Sequence, residues 1–172
     1  MENDMRYTAV LALLAILIAA HGETASATSF ATRILAAHNA ERAAVKVPDL
    51  TWSDTLAVHA AVWAAEMAKT GTYQHSAKTT RPGEGESLWV GTAGAFSPEE
   101  MVGAWAAEKQ FFQNGNFPNV ATTGQSQIPG HYTQIVWRST TAVGCALATG
   151  NGRDILVCRY SPAGNLTGEK VY

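Results

Sequence analysis

Two runs, Val143 to Ala148 and Ile155 to Tyr160, flank Asn151-Gly152. That dipeptide suits a two-residue hairpin turn, whose central positions both need positive φ. The turn fixes the register: Gly150 must face Arg153. Cys145 lies five residues before Gly150 and Cys158 five after Arg153, so the two face each other. Counting outward from the turn, they occupy a non-hydrogen-bonded pair, where Cα atoms approach to ~4.5 Å. A disulfide spans that separation. The sequence therefore predicts a C-terminal β-hairpin with a Cys145–Cys158 bond; the alternative is a pair of buried free thiols. A disulfide in turn implies an oxidising compartment.

The segments before the hairpin read mainly as helices. Thr28 to Val45 is predicted helical, capped by Thr28 or Ser29 and closed by Pro48. Ser53 caps a second helix, on which Leu56, Ala60, Trp63 and Met67 form one face, with Gly71 as its C-terminal cap. Val58, Ala61, Val62 and Ala65 make its other side apolar too. The expectation is a helix packed on more than one face, with His59 a core or boundary residue. Ser97-Pro98-Glu99-Glu100 is a helix start, with a cap, proline at the first position and acids in the first turn. That helix is predicted to run to about Gln113. Its stripe Met101, Trp105, Phe112 includes one carboxylate, Glu108. Either Glu108 is buried and needs a partner, or it sits at the stripe's edge and reaches water. Tyr73 to Gly94 reads as irregular, with a short strand at Ser87–Val90.

Met1 to Ala27 reads as a secretory signal peptide. A short polar start ending in Arg6 precedes the uncharged run Tyr7–Ala20, and Ala25-Ser26-Ala27 fits a signal-peptidase site. The run is short for a bilayer span, the alternative being an uncleaved anchor. Cleavage removes Arg6 and three acids, Glu2, Asp4 and Glu23, leaving 11 basic and 11 acidic residues. A neutral chain argues against nucleic acid or an anionic membrane surface as main partner. Residues 28–172 suit one domain. No later run is long enough for integral membrane association.

Four histidines remain: His38, His59, His75 and His131. His75 and His131 lie beside serine or glycine in loop contexts, as does Glu86; with Glu108 they make two imidazoles and two carboxylates. Such a set suits Zn²⁺ or a similar divalent ion, with histidine ligands and carboxylate partners. It also suits a metal-polarised water with Glu86 or Glu108 as catalytic base. Spacing alone leaves two readings open, a metal cleft or scattered polar residues. H-E-x-x-H, G-x-S-x-G, P-loop and dinucleotide fingerprints are absent.

Longer motifs carry a resemblance. Gly130-His131-Tyr132-Thr133-Gln134-Ile135-Val136-Trp137 with Thr140, and Ile155 to Leu166, resemble the two signatures of the CAP superfamily (cysteine-rich secretory proteins, antigen 5, pathogenesis-related class 1). His75-Ser76 and Gly85-Glu86-Ser87-Leu88 resemble two further motifs, with Ser87 replacing the usual asparagine. His38-Asn39 with Arg42 resembles the family's first helix. The resemblance implies an α+β fold, a three-layer α-β-α sandwich with a central cleft. It implies a tetrad of His75, Glu86, Glu108 and His131, with the histidines as metal ligands, Glu84 being a rival to Glu86. Cys145–Cys158 resembles the family's hairpin disulfide.

It also implies a secreted protein, extracellular or periplasmic. Its partner would be a sterol, lipid or peptide ligand, or it would act in defence as an interaction module. The loop before the histidine signature, which binds sterol in some fungal relatives, holds only Phe117 and Ile128 as large apolar residues. Pro162 to Tyr172 resembles a peptide released from plant relatives, with Val171 in place of proline; the alternative is a C-terminal wrap over the sheet. Asn165-Leu166-Thr167 is a glycosylation sequon or, alternatively, holds an ordered structural asparagine.

Overall fold

A computed structural model describes residues 29–123 and 129–172. The signal segment, its cleavage point and Ile128 lie outside the described residues.

Helix α1 spans Phe30–Ala44, with the Ser29 side chain accepting from the Thr32 amide. Strand β1 is the short Thr51–Trp52. Helix α2, Asp54–Thr70, starts on Ser53 and ends on Gly71 at φ 71°. Strand β2 runs Gly85–Thr92. Helix α3, Pro98–Ala106, opens with a full capping box between Ser97 and Glu100. Helix α4 is short, Gly130–Ile135. Strands β3, Ala142–Gly150, and β4, Arg153–Ser161, form the hairpin.

The sheet order is β1-β3-β4-β2, with β1 parallel to β3 and the other pairs antiparallel. Helix α2 packs on β3 and β4, while α1, α3 and α4 pack together. The result is the α-β-α sandwich. Strand β4 is buried at every position from Asp154 to Tyr160, because helices cover both its faces. Its side chains alternate between two cores. Ile155 and Val157 join Ala60, Ala64 and Met67 of α2; Leu156, Cys158 and Tyr160 join Ile34, Trp105 and Ile135 opposite.

The turn chemistry holds. Asn151 and Gly152 have φ of 53° and 72°, Gly150 pairs Arg153, and Cys145 pairs Cys158. The two cysteines form a disulfide with Cα atoms 4.1 Å apart.

Other expectations need correction. Helix α2 buries one face only: Val58 and Val62 are 62% and 69% exposed. Its small residues serve close approach to the sheet rather than burial all round. A Cβ on Gly144 or on Gly150 would run into the α2 backbone, at Ala57 and Ala68 respectively. His59 lies on the exposed side of α2, bonded to Glu84. Strand β2 begins two residues earlier than predicted and ends two later. Helix α3 ends at Ala106, and Ala107–Phe111 continue as a 3₁₀ turn. Winding at three residues per turn takes Glu108 off the buried stripe. The C-terminus wraps the loop after α3, not the sheet: Phe117 donates to the Glu169 carbonyl, and Val171 to that of Gly115. Val171 is fully buried.

Candidate metal centre

Glu86 lies on β2, where the pleat points its side chain away from the Tyr160 side of the sheet. Its carboxylate is fully buried. Oε1 accepts from His75 Nδ1 at 2.7 Å and from the Ser76 amide at 2.9 Å. Oε2 accepts from Ser76 Oγ at 2.8 Å and from Arg159 Nη2 at 2.9 Å. Burial pushes the carboxyl pKa up, but His75, Ser76 and Arg159 outweigh it and hold it below the usual carboxylate range. Glu86 is therefore ionised and saturated with donors. An ionised carboxylate only accepts, so His75 Nδ1 donates, and in the neutral imidazole the lone pair is left on Nε2.

Glu108 repeats the arrangement in another layer. Oε1 accepts from His131 Nδ1 at 2.6 Å. Oε2 accepts from the amides of His131 and Tyr132, at 2.8 and 3.1 Å. Helix α4 starts at Pro129, which has no side-chain cap. Glu108 supplies that cap from a distant part of the chain and orients the imidazole at the same time. Of the two readings for Glu108, partnership holds, but at a half-exposed site rather than a buried one. The His131 ring stacks on Trp105, centroids 5.8 Å apart and planes within 13°.

The elements that carry the two dyads touch. Gln134 of α4 reaches the start of β2, and its Oε1 occupies the place a Cβ on Gly85 would take. Gln134 Oε1 also accepts from the Gly164 amide at 3.1 Å. A cavity of about 320 Å³ adjoins this junction, bordered by Glu86, Gln134 and Asn165. Gly85→Ala is expected to push α4 from β2 and destabilise the fold by roughly 1–3 kcal/mol. Urea unfolding measures the loss, and the His131 ring resonances should shift with it.

The first helix anchors α4 from behind. Arg42 is buried and donates Nε to the Pro48 carbonyl at 2.6 Å. Its Nη1 reaches the carbonyls of Ile135 and Trp137, and Nη2 that of Thr140. Burial pulls its pKa down to about 10. Asn39 clamps Leu50 through both main-chain groups. His38 is buried, its Nδ1 2.8 Å from the Ile34 carbonyl and Nε2 2.9 Å from the Tyr160 hydroxyl. At the other end of α4, Asn165 at φ 57° donates to the Gly130 carbonyl and accepts from Thr133. Its amide is thus a structural clamp.

Sequence reasoning missed Arg159, although a guanidinium inside the apolar run Ile155–Tyr160 was a signal, since a charge in a buried strand needs partners. It is 4% exposed and joins Glu86 to Glu84. Glu84, the rival carboxylate, pairs with His59 and Arg159 instead of His75. Phe117 turns inward, edge-on to Trp137. Among the described residues, no group of three or more His, Cys, Asp or Glu is arranged to hold a metal. What the structure shows is two separate dyads, each with one carboxylate-oriented imidazole.

Residues 35–160 match the model of the cysteine-rich secretory protein family. The chain is 37% identical over 139 residues to pathogenesis-related protein 1A of Nicotiana tabacum, covering 80% of this chain and 78% of the other. With pathogenesis-related protein 1C of the same plant the identity is 36% over 164 residues, covering 95% and 92%. The fold is similar to the crystal structure of NaASP2 with Zn2+, with a TM-score of 0.70, 24% identity and coverage of 84% and 86%. It is also similar to Na-ASP-1, with a TM-score of 0.70, 25% identity and coverage of 88% and 43%. The matched span runs from α1, with His38, Asn39 and Arg42, to Tyr160 in β4, and takes in both dyads: the chain belongs to the cysteine-rich secretory protein, or CAP, family.

Proposed function

We propose that this is a secreted binding protein in which His75 and His131 offer Nε2 to a divalent cation, Zn²⁺ or similar, beside a cleft for a small apolar or peptide ligand. The observation that carries the reading is the matched pair of Nδ1–carboxylate bonds. Metal-binding histidines are commonly oriented in this way, with the outer carboxylate fixing the tautomer. Two protein ligands leave the remaining coordination positions to water or to a ligand atom. The zinc named for the NaASP2 crystal structure supports this chemistry on the same fold. Secretion rests on residues 1–27 as a signal peptide, on the disulfide and on family membership. No helix among the described residues is long and apolar enough to cross a membrane.

Both glutamates spend their oxygens on orientation, Glu86 on four donors and Glu108 on three. That favours binding over the hydrolase reading, in which one of them takes a proton from water. A sterol or lipid has little to grip in the described part of the loop before α4, because Phe117 faces the core. An interaction role in defence, with an idle cleft, is the competing account.

Metal analysis of natively purified protein decides between them. The parent should retain zinc through dialysis, and the His75→Ala/His131→Ala double variant should lose it. Glu108→Gln should weaken binding roughly 10–100-fold, as for other carboxylates that orient a ligand. A double variant that binds metal as well as the parent defeats the proposal. Chelator-sensitive cleavage of peptides or esters, abolished by Glu86→Gln, would establish the hydrolase instead.

A further inference from the structure

A second groove, of about 560 Å³, runs between α2 and the segment from Thr80 to Glu84. One wall is apolar: Val62, Trp63 and Pro82. Val62 is 69% exposed on a helix whose other face is fully buried, so this wall has no cover in the described chain. The indole of Trp63 is held in place, its Nε1 donating to the Gln74 carbonyl at 3.0 Å.

The other wall is charged, with Arg81 and Arg159 beside the carboxylate of Glu84; the buried Glu86 also pairs with both, 3.9 Å from Arg81 Nε and 2.9 Å from Arg159 Nη2. Both oxygens of Glu84 are occupied, Oε1 by His59 Nδ1 at 2.7 Å and Oε2 by Arg159 Nη1 at 3.2 Å. A cationic ligand therefore meets no free carboxylate. Arg159 divides its Nη atoms among Glu84, Ser76 and Glu86, and its buried Nε has no partner among the described residues. Arg81 spends Nε and Nη1 on the carbonyls of Ser76 and Glu84, which leaves Nη2 for an incoming acceptor. Guanidinium groups favour planar carboxylates.

The geometry points to a binding site for a compact aromatic carboxylate, its ring between Trp63 and Pro82 and its carboxylate toward Arg81. A volume of this order is typical of small-ligand sites, as is an apolar lining with a few placed polar groups. Three apolar side chains make too short a wall for a long alkyl chain. The site does not depend on metal at His75 and His131.

The test is calorimetric titration of the purified protein with 2-naphthoate in excess chelator. Binding should be saturable at one site, with a Kd on the order of 0.1 mM for a ligand of this size. The uncharged 2-naphthamide should bind at least tenfold more weakly. Val62→Asp, at a position too exposed to affect folding, should also weaken naphthoate at least tenfold. Val58→Asp, exposed on the same helix but outside the groove, should bind like the parent. The proposal is overturned if naphthoate fails to saturate, if the amide binds as tightly, or if Val58→Asp loses as much as Val62→Asp. Dodecanoate binding more tightly than naphthoate would make this an alkyl-chain site and overturn it too. Chelator removes the metal variable, so failure here leaves the His75/His131 reading standing, and the reverse holds.

Discussion

Replacing Arg42 with methionine is expected to cost roughly 4 kcal/mol or more of folding stability, the largest loss from any single change considered for this protein. The side chain feeds four carbonyls, those of Pro48, Ile135, Trp137 and Thr140. The Trp137 carbonyl keeps the Thr140 amide and Pro48 is exposed, so the buried acceptors left without a donor are those of Ile135 and Thr140, each costing roughly 1–3 kcal/mol less whatever water entry recovers. Small domains have only about 5–15 kcal/mol in total. Two of the carbonyls, Ile135 and Trp137, lie at the end of α4. The damage should therefore reach His131 as well as global stability. Guanidinium unfolding gives the first quantity. The second is read from hydrogen exchange, with the amides of Val136 and Trp137 losing protection before those of β4. Arg42→Lys should recover only part of the loss, because one ammonium cannot span four acceptors.

Acid should remove nearly as much. Burial pulls the His38 pKa down to about 4, with the Arg42 charge adding to that and the Ile34 carbonyl opposing it. Its Nδ1 proton goes to the Ile34 carbonyl, so Nε2 accepts from the Tyr160 hydroxyl, whose own pKa burial pushes up. A proton on Nε2 would force the Tyr160 hydroxyl to turn and accept, and would place a charge in a fully buried site. The unfolded imidazole titrates near 6.5, so above that pH neither state carries the proton and the stability is intact. Between pH 6.5 and about 4 only the unfolded chain takes it up, and stability falls by about 3 kcal/mol. Glu86 acts lower on the scale: its folded carboxyl is held below the ordinary range, so its contribution is lost as pH drops through and below the unfolded carboxylate value. Urea midpoints measured across this range should show two regions of loss. His38→Gln should flatten the upper one and leave the lower.

What was legible in the chain followed from local rules. Asn151-Gly152 set the hairpin register and so the disulfide, because turn geometry is a property of two residues. Ser97-Pro98 and Gly71 marked helix ends for the same reason. The α3 limit was misjudged, because the change to 3₁₀ winding after Ala106 accompanies a contact between Glu108 and α4 that no short window contains. His59 and the outer face of α2 were misread because apolar periodicity reports which residues can be buried, not whether a second layer is there. Of the candidate site, motif resemblance supplied His75, Glu86, Glu108 and His131, and the structure pairs them two by two. Arg159, Gln134 and Gly85 were not found. Their roles rest on neighbours 49–75 positions away, Glu86 and Glu84 for one and each other for the rest.

Val171 sits in the same core as Ile34. Strand β1, near the start of the domain, pairs with β3 across some ninety positions. The core thus takes parts from both ends of the domain, and a nascent chain cannot close it before Val171 has been made. Domains whose contacts are this distant in sequence fold slowly and cannot begin assembling in halves during synthesis. For the secreted protein proposed above, which would cross a membrane before folding, such a delay would be useful. On that reading the topology would act as a timer, with the sheet, the disulfide and the dyads forming together after export.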